Sequence, residues 1–159
     1  RACGLRAESV KDLGFALKQP AKLVPELLWA RIQALAANGR HADMAETANK
    51  LGTLTPKSAR NTYDAARAMG LAMATVVHSR PVSELKEDER ETLESYSIRT
   101  VELLEQARKQ WFFINPANLK LLWSDSEFEL LRAQPEFDPW RNPLDKPNQQ
   151  EGGRQNAPY

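Results

Sequence analysis

The chain has 159 residues, enough for one domain with a buried core, and only seven of them are Gly. Leu and Ala are abundant, a balance that favours helix over sheet. Its 22 basic and 21 acidic side chains leave a formal charge of +1, so no global field draws it to nucleic acid or to an anionic membrane. A single cysteine, Cys3, excludes an internal disulfide and a cysteine-based zinc site, and no apolar run approaches the ~18 residues of a membrane span.

In chain order, residues 5–18 (LRAESVKDLGFALK) place Leu5, Val10, Leu13 and Leu17 at roughly helical spacing, and Pro20 stops the pattern. Pro25 suits the first turn of a second helix, whose stripe is Leu28, Ile32 and Leu35. Asn38-Gly39 ends it, because Gly accepts the left-handed conformation without steric cost. Another helix is expected from about 41 to 53, closed by Thr55-Pro56. Ser58 then reads as the N-cap of a helix over roughly 59–78, with Tyr63, Ala66, Met69, Gly70, Met73 and Val77 at steps of three and four. Its many Ala residues allow a neighbouring helix to come close.

The polar stretch 79–92 (SRPVSELKEDERET) reads as a loop leading into a capped helix start. The long helix that follows carries Leu93, Tyr96 or Ser97, Val101, Leu104 and Ala107, and ends near Gln110. Pro116 starts a short helix with Leu119, Leu122 and Trp123, and Ser124 or Ser126 caps a last turn within EFELLRAQ, before Pro135. From about 141 onward Pro, Asn, Gln and Gly dominate; such a segment buries too little apolar surface to offset its ordering entropy and is expected to be a flexible tail. No segment alternates with period two. The class is all-α, with about six helices over residues 1–140 and a polar tail over 141–159.

Gly39 and Pro56 have the spacing of a turn and an end in a 34-residue helix–turn–helix unit that begins at Pro25, and Ala59 begins the next. The segments LLWARIQALAANGRHADMAETANKLGTLTP and ARNTYDAARAMGLAMATV resemble tetratricopeptide repeats (TPR), although bulky Ile32, Met44 and Leu51 stand where that family usually has Ala or Gly, and a polar insertion follows position 78. A larger part of the chain is similar to the C-terminal helical region of planctomycete-type bacterial serine/threonine protein kinases. It carries the Tyr63-Asp64-Ala65-Ala66 run and the closing series Asp125, Leu131-Arg132 and Pro135-Glu136-Phe137. The resemblance implies a fragment of a larger protein whose kinase domain lies elsewhere; with no signal-peptide pattern and no apolar run of membrane-spanning length, a cytoplasmic location is expected. The chain itself has no Gly-rich loop, no His-Arg-Asp and no Asp-Phe-Gly, so phosphoryl transfer is not expected of it.

Against catalysis or metal binding, His41 and Glu46 are five residues apart and do not share a helix face, and His78, the second histidine, falls on another helix. No catalytic residue, metal or cofactor is expected. The acidic run from Glu84 to Glu94 is interleaved with Lys86 and Arg90 and reads as a solvated helix start. Trp111-Phe112-Phe113, with Trp123, Phe128, Phe137 and Trp140, reads as a core sealing the last unit, with an exposed partner groove as the alternative. The basic residues Lys50, Lys57, Arg60 and Arg67 are candidates for a concave face. The function expected is a non-catalytic protein–protein interaction module, with Arg60, Asn61, Tyr63 and Arg67 presenting polar contacts to a protein or peptide partner. A small nucleic-acid-binding or enzymatic helical domain is the alternative. Residues 1–80 carry +6 and residues 81–159 carry −5, which leaves the first half open to nucleic acid.

Overall fold

The computed structural model describes residues 24–54, 57–78 and 80–141, so the helix expected at 5–18 and the tail expected beyond 141 lie outside the described residues. Within them the chain is all-α. Five longer helices are α1 (Val24–Ala36), α2 (His41–Gly52), α3 (Ala59–Val77), α4 (Glu87–Lys109) and α5 (Pro116–Ser124). Two single turns, α6 (Glu129–Arg132) and α7 (Asp138–Arg141), follow, and four short 3₁₀ turns join the elements.

Local chemistry sets most of the boundaries. Gly39 takes φ +68°, and Arg40 N–H reaches back to Leu35 O at 3.0 Å, closing α1 in the left-handed turn its sequence calls for. Ser58 Oγ accepts from Asn61 N–H at 3.4 Å and starts α3. Asn115 Oδ1 accepts from Ala117 N–H at 2.9 Å, with Pro116 in the first turn of α5. The polar stretch after α3 is less of a loop than its composition implies. A 3₁₀ turn occupies Val82–Glu84 and α4 begins already at Glu87, where Glu89 Oε2 accepts from Lys86 N–H at 2.9 Å. The last turn is not capped by Ser124 or Ser126. Instead the chain makes a 3₁₀ turn over Ser126–Phe128 and passes directly into α6.

Helix α3 is the axis of the domain. Eleven of its nineteen residues are buried, and it packs against α1, α2, α4 and the Ser126–Phe128 turn. Paired residues give the directions. Gly52 and Met44 of α2 meet Ala65 and Thr75 of α3, so these helices are antiparallel. Thr62 and Met73 of α3 meet Gln110, just past the end of α4, and Thr100 within it, which makes that pair antiparallel as well. His41, Asn49 and Gly52 of α2 face Tyr96, Arg99 and Leu103 of α4 in the same order, so α2 and α4 run parallel. Small side chains make this closeness feasible: Ala65, Ala66, Ala68 and Ala72 are all fully buried. In α4 the inward stripe is Leu93, Ser97, Thr100, Leu103, Leu104 and Ala107; Thr100 rather than Val101 points in, its hydroxyl donating to Tyr96 O at 2.6 Å.

Candidate functional site

The face of α3 expected to carry partner contacts is turned toward the chain's own C-terminal segment. Tyr63 is fully buried; its ring stacks on Phe112 with centroids 4.6 Å apart and meets Phe113 and Phe128 edge-on. Its hydroxyl donates to Asp125 Oδ2 at 2.7 Å, and burial together with that carboxylate pushes the phenol far above its ordinary pKa. Arg67 Nη2 donates to Glu127 Oε1 at 2.7 Å and Nη1 to Asp64 Oδ1 at 3.4 Å, while Nε approaches Asp125 Oδ2 to 3.1 Å as an ion pair without hydrogen-bond alignment. Burial works against the Arg67 charge, but Glu127, Asp125 and Asp64 outweigh it and hold its pKa above the ordinary value. On its other side the guanidinium sits 4.8 Å from the Trp29 ring centroid. Tyr63 and Arg67 are thus a clamp on residues 125–128. Arg60 is exposed and paired with Asp64 at 2.9 Å, and Asn61 serves the helix start through its backbone. The four residues share one helix but do not line one open groove, because the groove is already occupied by the chain.

Each part of the closing series has a structural task. Asp125 receives Tyr63 and Arg67. Leu131 is fully buried, and Arg132 Nη1 donates to Leu122 O in the last turn of α5 and to Asp125 O just beyond it, both at 3.1 Å. Glu136 accepts from Ser97 Oγ of α4 at 3.1 Å, and Phe137 is fully buried with Trp123 edge-on at 5.5 Å.

The aromatic cluster divides between the two roles its sequence allows. Phe112, Phe128, Phe137 and Trp140 are buried. Trp111 is 66% exposed and Ile114 is 69% exposed. These two stand over a groove of about 330 Å³, walled by Phe113, Leu119, Pro139 and Trp140 and rimmed by Glu105 and Arg108. Glu105 also lines a second cleft of about 350 Å³ that continues along α4 past Val101 to Ile98, itself 45% exposed. The result is a strip of apolar surface at the C-terminal half of α4. Trp111 is held there in a left-handed conformation, φ 66°, which costs a non-glycine residue free energy that its exposed ring does not recover by burial. Inside the groove wall, Arg108 lies over the Trp140 ring, 5.6 Å from its centroid, and its guanidinium is paired with Glu105 at 2.6 Å. Ile98 was detectable in principle: it falls outside the spacing of Leu93, Ser97, Thr100, Leu104 and Ala107, so an apolar residue there has no inward task.

The two histidines, remote in sequence, line one cleft of about 420 Å³ with Arg80, Asp88 and Glu89. Two of its charged groups, Arg80 and Glu89, are paired with each other. Arg80 donates to both Glu89 oxygens, at 2.7 and 3.4 Å, and His41 Nδ1 lies 3.1 Å from Tyr96 Oη. His78 ends α3 in a left-handed conformation, φ 46°, with its side chain exposed. Among the described residues, no group of three or more His, Cys, Asp or Glu side chains is placed to hold a metal ion, and no helix is long and apolar enough to cross a membrane. Comparison of the chain with protein-family models, with curated proteins and with solved structures gives no match.

Proposed function

We propose that this chain is a non-catalytic protein–protein interaction module whose partner surface is the apolar strip on the C-terminal half of α4, not the face of α3. The observation that carries the reading is the pairing of exposed Trp111 and Ile114 over a preformed groove walled by Trp140 and Phe113. Aromatic side chains grouped at such a groove supply most of the binding free energy of small interfaces, because large rigid rings lose little entropy when covered. The partner is a protein or peptide segment that lays apolar side chains across the strip.

The helix order supports a TPR-like stack as part of this proposal. With α1 and α2 as one unit and α3 and α4 as the next, equivalent second helices run parallel and first helices share the α3 side, as stacked repeats require. The resemblance to the C-terminal region of planctomycete-type serine/threonine kinases supports a longer protein with a kinase domain upstream. Sequencing the coding region upstream tests that parentage, and a stop codon immediately before Arg1 would refute it. The site is tested by affinity capture with the wild-type chain, Trp111→Asp, Ile114→Asp and Arg60→Glu. Partner recovery is expected to be lost with the first two and kept with the third. Equal recovery by all four overturns the assignment of the strip.

A further inference from the structure

The apolar strip on α4 does not end in neutral surface. Glu91, Glu94, Ile98, Val101 and Glu105 recur at steps of three and four, so they form one stripe along the helix, away from its buried side. Ile98 and Val101 line the second cleft, and Glu105 joins that cleft to the Trp111 groove. Such spacing is what a second helix meets when it lies along the first.

Two carboxylates at the start of this stripe have no task within the chain. Glu91 and Glu94 are exposed, and among the described residues neither side chain has a hydrogen bond or an ion pair. The other acids along α4 are mostly committed: Glu87 pairs with Arg90, Glu89 with Arg80, Glu102 with Arg99 and Glu105 with Arg108. The positive end of a helix attracts acids only within its first turn, which here holds Glu87, Asp88 and Glu89. The helix dipole therefore does not account for Glu91 and Glu94. At the opposite end of the strip stands Lys109, about 16 Å along the axis from Ile98. The surface is ordered along α4: free carboxylates, then apolar side chains, then a cation.

We propose that the partner segment is an amphipathic helix with a basic end. It lies along α4 with its apolar side chains on Ile98, Ile114 and Trp111 and its Lys or Arg residues over Glu94 and Glu91. This rests on the reading of the strip as the partner site and gives that partner's chemistry. The axial rise sets its pattern: basic side chains stand one to two turns, about 6–10 Å, from the residue that covers Ile98. Charge also sets its direction, because the reversed helix brings its basic end to Lys109 and leaves the two carboxylates uncovered.

The test titrates the full chain with synthetic amphipathic helical peptides that share one Leu- and Trp-bearing face and carry Lys, Gln or Glu at one end of it. The Lys peptide is expected to bind about tenfold more tightly than the Gln peptide and the Glu peptide more weakly still, with the differences shrinking as salt is raised. Glu91→Gln/Glu94→Gln is expected to abolish the preference, and Glu91→Lys/Glu94→Lys to reverse it. Both variants are expected to keep the wild-type unfolding midpoint, since the two side chains are exposed. Trp111→Gly, which adds no charge, is expected to weaken all three peptides. Equal binding of the three peptides, no binding by any, or a Lys preference that survives both glutamate variants overturns the proposal. The two readings fail separately. If partner recovery is lost with Trp111→Asp while the peptides show no charge preference, the strip stands and the basic partner falls. If the Lys peptide binds Trp111→Gly as tightly as wild type, the strip itself falls.

Discussion

Gly70 sets two rules of protein physics against each other. It lies in the interior of α3, and intrinsic helix propensity alone makes Gly70→Ala stabilising by about 1 kcal/mol. A Cβ built there, however, falls 2.3 Å from Glu127 O and 3.0 Å from Glu127 C, distances that Cβ atoms do not tolerate. The obstacle is backbone, so no rotamer change relieves it. Either α3 or the Ser126–Phe128 turn must move, and the turn is pinned by Tyr63, Arg67 and the fully buried Phe128. Overpacking of this kind costs typically about 1–3 kcal/mol and more where the backbone cannot yield. With a rigid backbone obstacle the cost falls toward the upper end of that range and exceeds the propensity gain, so a net destabilisation of about 1–2 kcal/mol is expected. Urea unfolding followed by circular dichroism reads it as a lower midpoint at unchanged slope. A midpoint at or above that of the wild type refutes the close approach of α3 to residues 126–128, and with it the claim that the chain fills its own groove.

Three further outcomes are expected. Tyr63→Phe keeps the ring stack but leaves Asp125 without its 2.7 Å donor; a hydrogen bond to a charged group contributes about 1.5–3 kcal/mol, and the loss is read by the same unfolding assay, with an effect under about 0.5 kcal/mol counting against the clamp. Trp111→Gly relieves a left-handed backbone and removes an exposed ring, so thermal stability is expected to hold or rise by about 1 kcal/mol while partner capture is lost; a clear fall in stability makes Trp111 a structural residue. Glu89 is held below the ordinary carboxylate pKa, chiefly by its hydrogen bond from Arg80 and then by the Lys86 backbone N–H. Its depressed folded value makes its stabilisation present above the unfolded pKa and lost as pH falls through the folded one. Carboxyl NMR titration is expected to show Glu89 moving up in Arg80→Ala, and an unchanged titration removes Arg80 as the cause.

The helices were legible wherever the cause of an element is local. Gly39, Ser58 and Pro116 act through their own backbone or the next turn, and α1, α2, α3 and α5 fall close to the bounds these residues imply. The start of α4 was legible only roughly: the run from Glu84 to Glu94 reads as a helix start, but its interleaved charges suit a loop as well and do not single out Glu87 as the first residue. The site was harder, because it depends on which long-range contacts form. Arg60 and Arg67 look equivalent in sequence, two turns apart on one helix. In the fold Arg67 meets Asp125 and Glu127 some sixty residues away, whereas Arg60 finds only its neighbour Asp64.

That difference also explains why the open surface lies where it does. The C-terminal segment crosses α3 to bury Leu122, Phe128, Leu131 and Phe137 completely, at about 1.5–3 kcal/mol of stabilisation each. A partner bound on α3 would have to expose all four and break the Tyr63 and Arg67 contacts, a cost beyond what a typical small interface returns. Covering Trp111 and Ile114 breaks none of these contacts and removes apolar surface from water. The chain closes one face with its own residues, and the sharp turn that brings those residues back, Trp111 to Asn115, is what places the exposed Trp111 and Ile114 at the end of α4.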